Sequence, residues 1–217
     1  MIVTIDGPAG AGKSSAARAL AQRLGFEFLD TGATYRAVAL AALRAGLDLH
    51  DQEGLARLLG TLVLDLPPGR VLLDGEDVTT AIRTPEVTAA TSLVADSKVV
   101  RQHLAGLQRA IAAGRDMVCE GRDQGTVVFP DAACKFFLEA DPIERARRRQ
   151  REMAARGQAI DFEAVLRAQQ ERDRRDAARD LAPMVPAADA IILDSTHLNP
   201  GRVVDLMERE VRRCLSR

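Results

Sequence analysis

Tryptophan is absent, tyrosine occurs once, and six phenylalanines bring the aromatic content to only 3%. The core must therefore be built mainly of Leu, Val, Ile and Ala. Long apolar runs are also missing, and none approaches the roughly 20 residues that cross a bilayer. The N-terminus has no basic stretch followed by a signal-type apolar run, so a cytoplasmic protein without a membrane partner is expected. Neither sign of charge is in excess. The net charge of −1 argues against a nucleic-acid partner, which usually calls for a basic chain. The three cysteines, Cys119, Cys134 and Cys214, show no metal-ligand or Cys-x-x-Cys spacing, which excludes a zinc site or a disulfide framework. Lysine is scarce as well: Lys13, Lys98 and Lys135 are the only ones among 30 basic residues. Arginine abundance is then background, and arginine placement is what carries information.

What is there begins at once. Gly7-Pro8-Ala9-Gly10-Ala11-Gly12-Lys13-Ser14 is a complete G-x-x-x-x-G-K-[ST] phosphate-binding loop. A β-branched run (Ile2, Val3, Ile5) precedes it, and an Ala/Leu-rich helical pattern over 14–24 follows. Backbone N–H groups of such a loop form an anion-binding hollow at a helix N-terminus. Lys13 can reach the outer phosphates of ATP, and the Ser14 hydroxyl can ligate Mg²⁺. Gly7 to Ser14, with Ser15 behind them, are the expected ATP contacts.

At 217 residues one domain with an insert is expected. Short apolar runs at 2–5, 26–29, 117–119, 135–138 and 190–193 alternate with helical patterns. This predicts an α/β fold, a five-stranded parallel sheet covered on both faces. Ligands collect at the carboxyl ends of such strands, so the polar residues after each run should converge on one cleft. Residues 62–77 break the alternation and read as an antiparallel hairpin around Pro67-Pro68-Gly69. Helices are expected at 85–95 and 97–113. From 142 to 179 the chain is helical and densely charged, either a solvated hairpin or a mobile lid. The resulting division is a core (about 1–61, 114–141 and 180–217), an insert (about 62–113) and a lid (about 142–179).

A phosphate loop alone fits ATPases, GTPases and kinases. The guanine clamp Asn/Thr-Lys-x-Asp is missing, since Asn199 is the only asparagine and stands in no such setting. The run Met117-Val118-Cys119-Glu120-Gly121-Arg122-Asp123 is too short for the long strand ending in Asp-Glu of motor ATPases. A small kinase remains, with three clusters for an acceptor. In Asp30-Thr31-Gly32-Ala33-Thr34-Tyr35-Arg36, Thr31 can cap the next helix and place Arg36 just inside it. In Glu120-Gly121-Arg122-Asp123-Gln124-Gly125, glycines flank an Arg-Asp pair. Arg172, Asp176 and Arg179 stand at i, i+4, i+7 on one helix face, as a site or a surface salt-bridge ladder.

These stretches resemble the bacterial cytidylate kinases of the nucleoside monophosphate kinase family, a branch of the P-loop NTPase fold. The likeness runs through 7–15, 29–36, Gly-Glu-Asp-Val-Thr-Thr-Ala-Ile-Arg at 75–83, 120–131 with Gly-Thr-Val-Val-Phe-Pro-Asp, 171–179 and 186–196. It implies a three-layer core with an inserted NMP-binding subdomain and an Arg-rich lid. It also implies transfer of the ATP γ-phosphoryl group to CMP or dCMP, with Mg²⁺, in pyrimidine metabolism. By resemblance, Lys13, Arg36 and Arg122 are catalytic. Ser92, Arg101 and Asp123 contact cytosine, and Arg36 and Arg122 clamp the CMP phosphate. Arg172 and Asp176 contact the ribose, and Thr31 and Arg179 complete the CMP side. Thr31 stands where some relatives have Ser, and Gln124 where Met is common. UMP or another small acceptor, and a P-loop ATPase or binding module, are the alternatives. A monomer is expected, and Asp194-Ser195-Thr196 is an adenine-side candidate by position.

Overall fold

A computed structural model describes every residue except Arg156, Ala159, Ser216 and Arg217. In chain order the elements start with β1 (Ile2–Asp6), α1 (Lys13–Leu24), β2 (Glu27–Asp30), α2 (Thr31–Arg44) and α3 (Gln52–Thr61). Three short strands follow, β3 (Leu64–Asp65), β4 (Leu72–Leu73) and β5 (Glu76–Asp77). Then come α4 (Pro85–Asp96), α5 (Lys98–Ala112), β6 (Met117–Glu120), β7 (Cys134–Glu139), α6 (Pro142–Ala154), α7 (Phe162–Ala177), β8 (Ile191–Asp194) and α8 (Pro200–Leu215). The chain forms two compact units, one of 1–28 with 114–217 and one of 29–113. Of the segment expected as the lid, Arg156 and Ala159 lie outside the described residues.

The parallel sheet has the order β2-β6-β1-β7-β8. Its middle strands are rich in β-branched and aromatic residues buried on both faces, as parallel strands require. Ile5 pairs with Glu120, Asp6 with Phe137 and Glu139 with Asp194. Strands β1, β6, β7 and β8 therefore end together on acids, and the loops after them share one edge, as the strand-end rule anticipates. Val3, Ile5 and Leu20 pack beneath that edge with Phe136, Leu138 and Met207, all but inaccessible to solvent.

The second unit has an aliphatic core of its own, including Val38, Leu55, Ile82, Val94, Val100 and Leu104. Side chains of α2 are small where it packs on α4: Ala37, Ala39 and Ala42 are fully buried. The expected hairpin is a three-stranded antiparallel sheet, β3-β4-β5. Its extra reversal is the two-residue turn Asp74-Gly75, with φ of 51° and 84°. Positive φ at both positions is what a tight hairpin turn matching strand twist needs, and Asp-Gly supplies it.

Candidate active site

Most helices here begin on a side-chain cap: Asp51, Thr84, Ser97, Asp141 and Asp161 each accept from the first turn of α3 to α7. Helix α1 does not. It starts from Gly12 at φ 92° with no side-chain cap. Among the described residues, the N–H groups of Gly10, Ala11, Gly12, Lys13 and Ser14 find no protein acceptor. Polar groups left this way call for a ligand, and at a helix N-terminus that ligand is an anion. Gly7, at φ 139°, is irreplaceable on geometry, since a Cβ there would lie 2.1 Å from the Leu138 carbonyl oxygen. Lys13 is buried and donates to the Pro8 carbonyl at 2.8 Å. Burial, then the nearby Arg122 guanidinium, pull its pKa down to about 7. The Ser14 hydroxyl donates to Glu120 at 2.6 Å. Asp6 accepts from the backbone N–H groups of Gln124 and Gly125 at 2.9 and 2.7 Å, and burial pushes its pKa up to about 6. Ala11 accepts from the Ser195 hydroxyl, and Ser15 lines an open cavity of about 360 Å³ with Ser14, Arg18, Ala19 and Gln22.

Within the same unit, Arg122 donates through Nε to Asp176 at 3.0 Å, and Arg179 pairs with the other Asp176 oxygen at 2.6 Å. Burial pushes the Asp176 carboxyl up, but Arg122, Arg179 and Arg172 together hold it below the usual range. Asp123 is buried next in the chain to Arg122. Arg179 departs from the expected helix face, because α7 stops at Ala177 and Arg179 lies past its end. It still reaches Asp176 by folding back. Exposure separates this cluster from a surface ladder. The Arg179 and Asp176 side chains are 9% and 4% exposed, whereas Arg174 and Glu171 on the same helix are 76% and 56% exposed. Exposed pairs contribute about 0–1 kcal/mol, so the buried set is the one arranged for something.

In the second unit, Thr31 is buried as the first residue of α2, but it does not cap the helix. Asp30 does, accepting from Ala33 N–H at 3.0 Å. A carboxylate one position earlier has the extended backbone that a cap needs. Arg36 donates to Thr88 at 2.7 Å and to the Ile82 carbonyl. Arg101, 8% exposed, donates to the Ala95 carbonyl and lies 5.6 Å from the ring centre of Tyr35. Ser92 is half-buried on α4.

A family model described as cytidylate kinase matches residues 3–213. The chain belongs to the cytidylate kinase family. A cytidylate kinase from Pelotomaculum thermopropionicum is 52% identical over 214 residues, covering 96% of this chain and 95% of that relative. One from Rhodopirellula baltica is 48% identical over 215 residues, covering 99% and 94%. A solved gluconokinase from Sinorhizobium meliloti shares the fold, with a TM-score of 0.52 at 16% identity over 97% of this chain and 91% of that one. All the candidate residues, from Gly7 to Arg179, lie inside the span matched to the cytidylate kinase family.

Four residues near the cytidylate kinase motifs carry contacts that the sequence did not single out. Glu120 sits against Ser14 from 106 positions away. Arg148 donates to the Ser195 hydroxyl and to the carbonyls of Ser195 and Thr196, fixing the loop after β8. Arg145 and Asp173 hold the backbone of Ala9. Spacing rules see only neighbours along the chain. The strand-end rule brought Glu120 to the same edge as Ser14 without naming the contact, and a charge ending a buried strand needs a reason.

Proposed function

We propose that the chain transfers the γ-phosphoryl group of ATP to CMP or dCMP, giving ADP and CDP or dCDP, and acts in pyrimidine metabolism in the cytoplasm. Among the described residues no helix is long and apolar enough to cross a membrane, in keeping with that location. The reading is carried by Arg122 and Arg179 gathered on the buried Asp176 beside Lys13, near enough for Arg122 and Arg172 to depress the lysine. One arginine is enough to stabilise a γ-phosphate in hydrolysis. Arg122, held beside Lys13 by Asp176, provides for a second phosphate.

The chemistry follows from the residue types. The N–H groups of Gly10 to Ser14 would hold the ATP phosphates, and their charge would return Lys13 to its protonated form. Ser14 and Glu120 are hard oxygen donors 2.6 Å apart. They would hold Mg²⁺, which when bound neutralises phosphate charge. Arg36 and Arg122 would grip the CMP phosphate as bidentate forks. An attacking phosphate oxygen is already anionic, so no general base is needed, and Asp123 is left for the cytosine amino group. Uracil presents a carbonyl there, and two facing acceptors repel, so a buried Asp123 selects CMP over UMP. Ser92 and Arg101 would complete the base site, Arg172 and Asp176 the ribose site, and Thr31 and Arg179 the remaining CMP contacts. Closure over the two bound nucleotides would exclude water from the transferred group.

Coupled ADP release with CMP, dCMP, UMP, AMP and GMP tests this. The reading expects CMP or dCMP to lead. Equal ADP release with and without every acceptor would make the chain an ATPase, and a lead by UMP or AMP would overturn the cytosine assignments.

A further inference from the structure

Helix α7 touches the phosphate loop as well as the arginine cluster, and it does so along one face. Gln169, Asp173 and Asp176 stand at i, i+4 and i+7, so they share that face over a rise of about 10 Å. At one end, Gln169 lies flush on Gly10. A Cβ on Gly10 would fall 2.5 Å from the Gln169 Nε2 and 3.2 Å from the Arg145 carbonyl oxygen. In the middle, Asp173 accepts from the Ala9 N–H at 3.1 Å. Arg145 of α6 closes the ring by donating to the Ala9 carbonyl at 2.8 Å and to Asp173 at 2.5 Å. At the far end, Asp176 takes Arg122 and Arg179.

Both backbone groups of Ala9 are thus bound by one ion pair, whose side chains are only 7% and 15% exposed. The carboxylate does not compete with the triphosphate, because the five N–H groups from Gly10 to Ser14 remain for it. The guanidinium of Arg145 offsets the negative charge that Asp173 brings to an anion site. A buried pair whose polar groups are satisfied on both sides of one loop residue rigidifies that residue.

We propose that Asp173 is a positioning residue that ties α7 to the phosphate loop, so that Arg172, Asp176 and Arg179 are set in register with the phosphates of ATP. The role rests on the CMP kinase reading of those three residues. It would make in-line alignment of acceptor and donor depend on one carboxylate that contacts neither.

The test is Asp173→Ala beside Asp173→Asn, with wild type in the same assay. Cutting the tie should lower kcat at least tenfold in Asp173→Ala. The KM for ATP, and CMP binding measured without ATP, should shift less than threefold. Asp173→Asn, which can still accept from Ala9 but loses the ion pair with Arg145, should recover part of the loss. Hydrogen exchange without substrates should quicken in 7–14 and 162–177 of Asp173→Ala and stay unchanged in β1 and β7. A loss of kcat smaller than tenfold in Asp173→Ala would overturn the role. So would loss of both substrates' binding together with faster exchange throughout the sheet, which is plain structural damage. Wild type releasing no ADP with CMP would instead sink the kinase reading, and this role with it, whatever the variants do.

Discussion

Lys13 shows how one side chain can be tuned by its surroundings. Burial and Arg122 bring its pKa to about 7, and the triphosphate would raise it again. Above pH 7 the lysine is then mostly neutral before ATP binds and charged after. Binding of MgATP at pH 8 should take up about one proton, and the uptake should fade as the pH drops below 7. Titration calorimetry in buffers of different ionisation enthalpy measures it. The same uptake at pH 6 and pH 8, or none at either, would contradict the assignment. Asp123 makes the complementary prediction on the acceptor side. Asp123→Ala should weaken CMP by about 1–3 kcal/mol, the cost of leaving a buried polar group unpaired, and leave ATP binding unchanged. Equal loss of both ligands would show that Asp123 shapes the loop instead. At this scale the sequence was readable where a motif is local. Lys13 and Ser14 sit in a pattern of eight residues, whereas the partner of Ser14 is Glu120 and that of Ala9 is Asp173, 164 positions away. No spacing rule reaches such pairs.

Elements were legible where pattern and chemistry agree. The five β-branched or apolar runs became strands within a residue or two of their expected ends, because runs buried on both faces leave few other solutions. The helices at 85–95 and 97–113 appear as α4 and α5, each starting on the cap its sequence offers. Two readings went astray for physical reasons. Asp74-Gly75 is itself a turn signal, hidden inside what looked like one long strand. At the start of α2, two adjacent residues could both cap, and Asp30 has the backbone for it. Asp30→Ala should therefore lower the unfolding free energy by about 1 kcal/mol in denaturant titration. A change below the error of the titration would mean that the cap at Ala33 contributes nothing.

Over the whole molecule, the candidate residues are distributed between two cores. Lys13, Arg122, Asp123, Arg172, Asp176 and Arg179 belong to the first unit, and Thr31, Arg36, Ser92 and Arg101 to the second. Family membership rests on nearly the full chain, and both sets lie inside the matched span. The arginine-rich composition divides in the same spirit. Pairs such as Arg212–Glu208 and Arg174–Glu171 are solvated, while Arg122, Arg145 and Arg179 are drawn in around Asp173 and Asp176. Transfer from ATP to a cytidine monophosphate would draw on both sets of candidate residues. The direct measurement gives the protein γ-labelled ATP with an equimolar mixture of CMP, UMP, AMP and GMP and separates the products. The label is expected first and chiefly in CDP. Label released mainly as inorganic phosphate, or carried mainly by UDP, ADP or GDP, would contradict it.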